Sequence, residues 1–188
     1  MFVDLDTRID MRGYTSGMQL TIIGCGDAFG AGGSLQTSLH VRAGAACFLI
    51  DCGASSLIGM RRLGLEPNEI DTVFVSHLHG DHYLGLPGLL NTFHLLGRHK
   101  DLHIAGHRKL KEVLDFNTAL SGFEPSYPIH FHDIEALQPG EEIDFEEFKV
   151  STFPLKHRIP ASGFRVTERP RNIKVRKEFI EKYQPDYE

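Results

Sequence analysis

Tryptophan is missing from this 188-residue chain, and cysteine occurs only three times. Cys25, Cys47 and Cys52 are odd in number and lie in apolar or glycine-rich surroundings, which argues against a disulfide framework. No apolar run approaches the roughly 20 residues needed to cross a bilayer, so no membrane-spanning helix is expected. The N-terminal stretch lacks a basic segment followed by an apolar one, the mark of a secretory leader, so the sequence predicts a cytoplasmic protein. A strong excess of positive charge is also lacking, and a net charge of −5 argues against indiscriminate nucleic-acid binding. Repeats and low-complexity stretches are absent, and 41% hydrophobic residues suffice for a core. Disorder, collagen and a coiled coil are therefore excluded, and one ordinary domain fits the length.

Residues 1–17 read as a polar extension and 18–188 as the folded domain. The β-rich run Gln19–Ile23 predicts a strand, and the glycines that follow it end it. Two further strands are expected at Leu39–Val41 and Cys47–Ile50, turned around residues 42–44. A helix over 55–63 stops at Gly64, and Thr72–Val75 has the composition of a buried strand. From Pro87 the period becomes helical, with Leu89, Leu90, Phe93 and Leu96 on one face and Gly97 ending the run. A second helix is predicted over 107–120, strands at 128–133, 148–153 and 163–166, an acidic stretch between Asp133 and Glu147, and a short helix over 174–183. Strands followed by interleaved helices predict a layered mixed α/β domain.

What is abundant is histidine, eleven in all. Directly after the strand at 72–75 the chain reads Ser76-His77-Leu78-His79-Gly80-Asp81-His82. His77 and His79 are two apart, so an extended segment projects both to the same side. Gly80 permits the bend that turns Asp81 and His82 toward a second position. Neutral imidazoles and a carboxylate are the ligand set of zinc and similar first-row ions. Two such ions roughly 3.5–4 Å apart can clamp the attacking and leaving oxygens of a hydrolysis. A lone histidine pair arises readily by chance; four ligand types within six positions at a strand end do not. The remaining histidines read otherwise: His130 and His132 as structural, and His94, His99, His103 and His107 as packing or surface groups. The glycines of 24–33 do not form a nucleotide fingerprint, because no helix opens behind a GxGxxG spacing; they read as letting the backbone approach the metal cleft.

SHLHGDH at 76–82, with FLIDCG at 48–53 and GCGDAFG at 24–30, resembles the metallo-β-lactamase superfamily. Residues 77–106 and 152–166 (TFPLKHRIPASGFRV) resemble ribonuclease Z within it, and the likeness runs from about Met18 onward. The resemblance implies an αββα sandwich and a zinc-dependent endoribonuclease that trims the 3′ end of pre-tRNA through metal-activated water. It also implies that His77, His79 and His157 hold one zinc, that Asp81 and His82 begin a second site, that Asp81 serves as general base, and that Asp51 supports the centre by hydrogen bonds. A homodimer is a further implication.

Departures from the family pattern carry their own expectations. The family adds a bridging aspartate and a final histidine downstream, whereas no histidine follows His157 here. The second zinc site is therefore expected to be incomplete, as is the second half of the sandwich, in the manner of a truncated chain. A bare apolar sheet face favouring self-association is expected to result. The first loop reads AFGAGGSLQTS, without the arginine that ribonuclease Z carries there, which leaves open a hydrolase of a smaller phosphodiester or ester. An inactive zinc-binding remnant is the third reading. Lys156, Arg158, Arg165, Arg169, Arg171, Lys174, Arg176 and Lys177 form a basic window that either leads phosphates to His157 or is a solvated face.

Overall fold

The structure, a computed structural model, describes the backbone of residues 8–9 and residues 18–122, 124–138 and 140–169. Seven strands form one sheet in chain order: β1 (Arg8–Ile9), β2 (Met18–Gly24), β3 (Ser38–Ala43), β4 (Ala46–Ile50), β5 (Thr72–Phe74), β6 (Leu102–Gly106) and β7 (Ile129–Asp133). The first four are antiparallel neighbours, and β4 to β7 are parallel. A second, antiparallel sheet has the order β10 (Ser162–Glu168), β9 (Phe148–Pro154), β8 (Glu142–Asp144). The helices are α1 (Ser56–Arg62), α2 (Gly80–Tyr83), α3 (Leu86–Leu95) and α4 (Arg108–Ser121).

Side-chain alternation sets the layering, since neighbouring residues of a strand face opposite sides of a sheet. Cys47 and Leu49 of β4, Val73 of β5 and Ile104 of β6 join Met60 of α1, Leu89, Leu90 and Phe93 of α3 and Leu110 and Leu114 of α4 in one buried cluster. Phe48, Phe74 and Ala105, their neighbours along the same strands, face Ile143, Phe148 and Val150 of the second sheet. Rings weld the two sheets: Phe48 lies 4.8 Å from Phe148 and Phe74 lies 5.2 Å from Phe164, centroid to centroid. Each fully buried phenylalanine contributes roughly 1.5–3 kcal/mol. The layers among the described residues are thus helix, sheet, sheet.

The expected strands and the helices over 55–63, 87–97 and 107–120 all form. Four elements differ from the sequence reading, the short helix α2 among them. β6 (LHIAG) is a strand, β8 lies inside the acidic stretch, and β1 pairs with β2 within the segment read as an extension. The expected helix over 174–183 lies outside the described residues, as does most of 1–17. The outer face of the second sheet is largely polar. Lys149 pairs with Thr167 and Ser151 with Arg165 across β9 and β10, while Glu142 and Asp144 sit opposite Ser151 and Lys149. Alternation turns these polar side chains outward and Val150, Ile143 and Phe148 inward. Phe153 is the large apolar side chain on that outer face, 46% exposed, with its ring laid over Gly163.

Candidate metal centre

β2, β4, β5 and β6 all run the same way, because β3 is antiparallel to both β2 and β4. Their C-terminal ends therefore release loops at one edge of the sheet, where α/β proteins characteristically place their sites. Asp51 follows β4, and the 76–79 segment follows β5 and leads into α2. His157 arrives from the other sheet, on the loop between β9 and β10. Ser162 N–H donates to Ser76 C=O at 2.9 Å, tying that loop to the histidine segment.

Three imidazoles converge. His79 Nδ1 lies 3.1 Å from His77 Nε2 and 3.0 Å from His157 Nε2. Their rings stand edge to face at 72–77°, which aims the nitrogens at one point. Among the described residues this is the one group of three or more such side chains whose ligand atoms all lie within 4.8 Å of one another. Three ring nitrogens facing each other cannot all be satisfied by mutual hydrogen bonds, because an imidazole that donates at one nitrogen has one lone pair left at the other. Burial, followed by the charges of His82, His157 and His79, pulls the His77 pKa down to about 4 against a partial pull upward from Asp51. His77 is thus neutral at pH 7, the form that binds a metal. The donor set fits a first-row ion such as zinc.

Asp51 organises the surroundings. It is 4% exposed, and its backbone is left-handed, with φ 61°, a conformation aspartate tolerates better than most residues. Its carboxylate accepts Ser76 N–H at 2.8 Å and Ser76 Oγ–H at 2.9 Å, and it contacts His82 Nδ1 at 2.7 Å. Ser76 Oγ also lies 2.9 Å from His77 Nδ1. One carboxylate thereby sets the ring of His82 directly and that of His77 through a hydroxyl, leaving both Nε2 atoms for other work. Burial pulls the His82 pKa down, but the hydrogen bond and charge of Asp51, with Asp81, outweigh it and the net shift is upward. His82 Nε2 faces Asp81 Oδ2 at 3.5 Å. The rings of His77 and His82 are 4.0 Å apart, so the pair at 81–82 adjoins the triad.

Close backbone approach makes this possible. A Cβ at Gly85 would collide with the carbonyl oxygen of Gly53, and one at Gly53 with the carbonyl oxygen of Asp81 and Cβ of Gln36. These two glycines bring α2 and α3 onto the 51–55 segment. The glycines of 24–33 do a different task from the one expected of them: Gly24 and Gly26 pack on residues 34–36 of their own loop, and Gly30, Gly32 and Gly33 turn it with positive φ.

All six sequence-derived site residues, His77, His79, Asp81, His82, His157 and Asp51, lie at this edge. Ser76 was missed, although its place immediately before His77 was the available signal. His130 and His132 are on β7 with His103 beside them on β6, away from the triad; His107 is buried at the start of α4 against Glu135. Of the basic window, Lys156 and Arg158 flank His157 and are exposed, whereas Arg169 is paired with Asp144. Arg171, Lys174, Arg176 and Lys177 lie outside the described residues.

Residues 18–169 match a family model described as "Anti-Pycsar protein Apyc1". A ribonuclease Z of Bacteroides thetaiotaomicron is 39% identical over 173 residues, which cover 90% of this chain and 54% of the relative. The chain thus spans about half the length of the curated relatives it matches. The crystal structure of the short form of human tRNase Z superposes with a TM-score of 0.70 and 29% identity, covering 79% of this chain and 64% of that one. The metallo-β-lactamase fold protein YhfI of Bacillus subtilis superposes with a TM-score of 0.61 and 22% identity over 80% of this chain and 57% of its own. No described helix is long and apolar enough to cross a membrane.

Proposed function

This chain belongs to the family described as anti-Pycsar protein Apyc1 and has the metallo-β-lactamase fold, and from that premise we propose that it is a metal-dependent phosphodiesterase of the ribonuclease Z type. The substrate on this reading is pre-tRNA, cut at its 3′ side, with zinc as the resident metal and the cytoplasm as its compartment. The single observation that carries the reading is the convergence of His77, His79 and His157 beside the Asp81–His82 pair. The ribonuclease Z relative and the superposition on human tRNase Z support the choice of an RNA substrate.

His77, His79 and His157 would hold one ion, and Asp81 with His82 would contribute to a second. The ion, when bound, supplies Lewis acidity to the phosphodiester and lowers the pKa of water. The protein's own groups do the rest. Asp51 and Ser76 keep the rings of His82 and His77 turned toward the site, as the outer partners of metal-binding histidines do. Asp81 accepts the proton of the attacking water. Lys156 and Arg158 offer positive charge to the phosphates on either side of His157. The P–O3′ bond breaks as the new P–O bond forms, and the departing O3′ takes a proton back from Asp81 or from water, leaving a 3′-hydroxyl on the tRNA and a 5′-phosphate on the released trailer. The test is cleavage of a pre-tRNA by the wild-type chain and by Asp81→Ala. Cleavage at the 3′ junction that vanishes in the variant supports the reading, and an unchanged rate refutes it. Light scattering on the same samples reads whether the active species is the homodimer.

A second reading, hydrolysis of a smaller phosphodiester, is favoured by one observation: loop 25–37 carries no arginine. Turnover of bis(p-nitrophenyl) phosphate without cleavage of pre-tRNA selects it. An inactive zinc-binding remnant requires one zinc or none, with turnover of neither.

A further inference from the structure

Among the described residues Phe29 is the most exposed large apolar side chain, at 95%. Its neighbours Asp27, Ala28 and Gly30 to Gly33 are polar or small, so nothing in its own loop packs the ring. The loop is nevertheless firmly built. Asp27 Oδ1 accepts the backbone N–H groups of both Phe29 and Ala31 at 3.1 Å. Gly26 N–H donates to Leu35 C=O at 2.7 Å and Gly33 N–H to Gly30 C=O at 3.0 Å. Gln36 Nε2 donates to Ala28 C=O at 3.0 Å, while Gln36 N–H donates to Ser55 Oγ at 2.8 Å. Cβ of Gln36 and the carbonyl of Asp81 press on the same face of Gly53. The loop is therefore fastened to the 51–55 segment and, through it, to the backbone of Asp81. It also leaves β2 at the sheet edge that releases Asp51 and His77. An aromatic ring is thus presented to solvent on a fixed turn at the rim of the metal centre.

We propose that Phe29 is a stacking platform for the nucleobase beside the scissile phosphate, and so a specificity-determining residue that selects nucleotides over plain phosphate esters. The proposal rests on the phosphodiesterase reading above and holds for either an RNA or a smaller nucleotide substrate. Every base has a π-face, so a single ring on a rigid turn favours bases without reading their sequence. Stacking of one base on an aromatic side chain changes affinity roughly 5- to 100-fold.

The absence of tryptophan makes the test direct, because Phe29→Trp introduces a sole indole at the proposed contact. Zinc-loaded protein is titrated with uridine 5′-monophosphate and with ribose 5-phosphate, the base-free probe. The expected result is a change in indole emission with the nucleotide and none with the sugar phosphate. In calorimetry Phe29→Ala weakens the nucleotide about tenfold and leaves ribose 5-phosphate unchanged, Phe29→Tyr restores affinity, and Phe29→Leu behaves like Ala. Equal nucleotide affinity in wild type and Phe29→Ala, or equal loss of both probes, overturns the stacking role while leaving the metal centre standing. Binding of neither probe by the zinc-loaded wild type overturns the phosphodiesterase reading and the stacking role with it.

Discussion

Two groups of three histidines occupy this molecule, and only one converges. In the first, His77, His79 and His157 stand edge to face and meet at His79 Nδ1. In the second, His103 stacks on His130 and His132 at 23° and 28°. There a single nitrogen pair meets, His103 Nδ1 to His132 Nε2 at 2.9 Å, while His130 Nε2 turns to Asp101 at 2.7 Å. The difference comes from the backbone beneath. His103 lies opposite His130 in the β6–β7 register, and side chains on adjacent strands stand parallel to one another, perpendicular to the sheet. Loops impose no such alignment, so the first three rings can rotate until their nitrogens share a point. Histidine content does not define a metal site; the orientation that loops permit does.

The contrast can be broken most severely at His79, which touches both other rings. His79→Ala is expected to abolish bound metal and all cleavage, read by elemental analysis and a pre-tRNA assay, whereas His132→Leu leaves metal content unchanged. Next in size is Asp51→Asn, which spoils the acceptor of His82 and Ser76 and should weaken metal binding about 10- to 100-fold, measured by competition with a chelating dye. Gly85→Ala drives a Cβ into the Gly53 carbonyl and should cost about 1–3 kcal/mol of stability, seen as a lower urea midpoint.

Acid distinguishes the histidines more gently. His77 in the metal-free fold has its pKa lowered to about 4 from 6.5, so between these values the unfolded chain binds more protons and stability falls as pH falls. Burial lowers His103 and His132 as well, which adds to the same trend. The raised His82 acts oppositely: its contribution is full below pH 6.5 and is lost as pH rises through its folded value. Urea midpoints from pH 7.5 to 4.5 should therefore drop less in His77→Gln than in the wild type. The smallest effect is at His132→Leu, within about 1 kcal/mol at pH 7, since that change removes one neutral hydrogen bond on a sheet face.

Much of the candidate site was legible because most of its residues are adjacent in the chain. Four of them fall within 77–82, directly after the strand read at 72–75. β6 escaped because His103 interrupts a short apolar run, and β8 because one inward Ile143 between acids carries almost no periodic signal. The outer face of the second sheet is mostly polar for a local reason: β9 and β10 alternate, with Lys149, Ser151, Arg165 and Thr167 turned outward and Phe153 the exception. The role of Asp51 as acceptor for Ser76 and His82 depends on a left-handed backbone and a contact spanning 31 residues, and neither has a signature in the order of residues. The triad itself needed His157, and only its resemblance to a known segment pointed there.

His157 and His79 are 78 positions apart, on loops that leave different sheets. An ion held by both ties the two sheets together, and because the unfolded chain has no such site its binding free energy adds to the stability of the fold. A chelator acts as a selective denaturant of the β8–β10 layer: amide exchange at 148–168 should accelerate on metal removal well before that of β4 and β5, whose residues are locked from both faces.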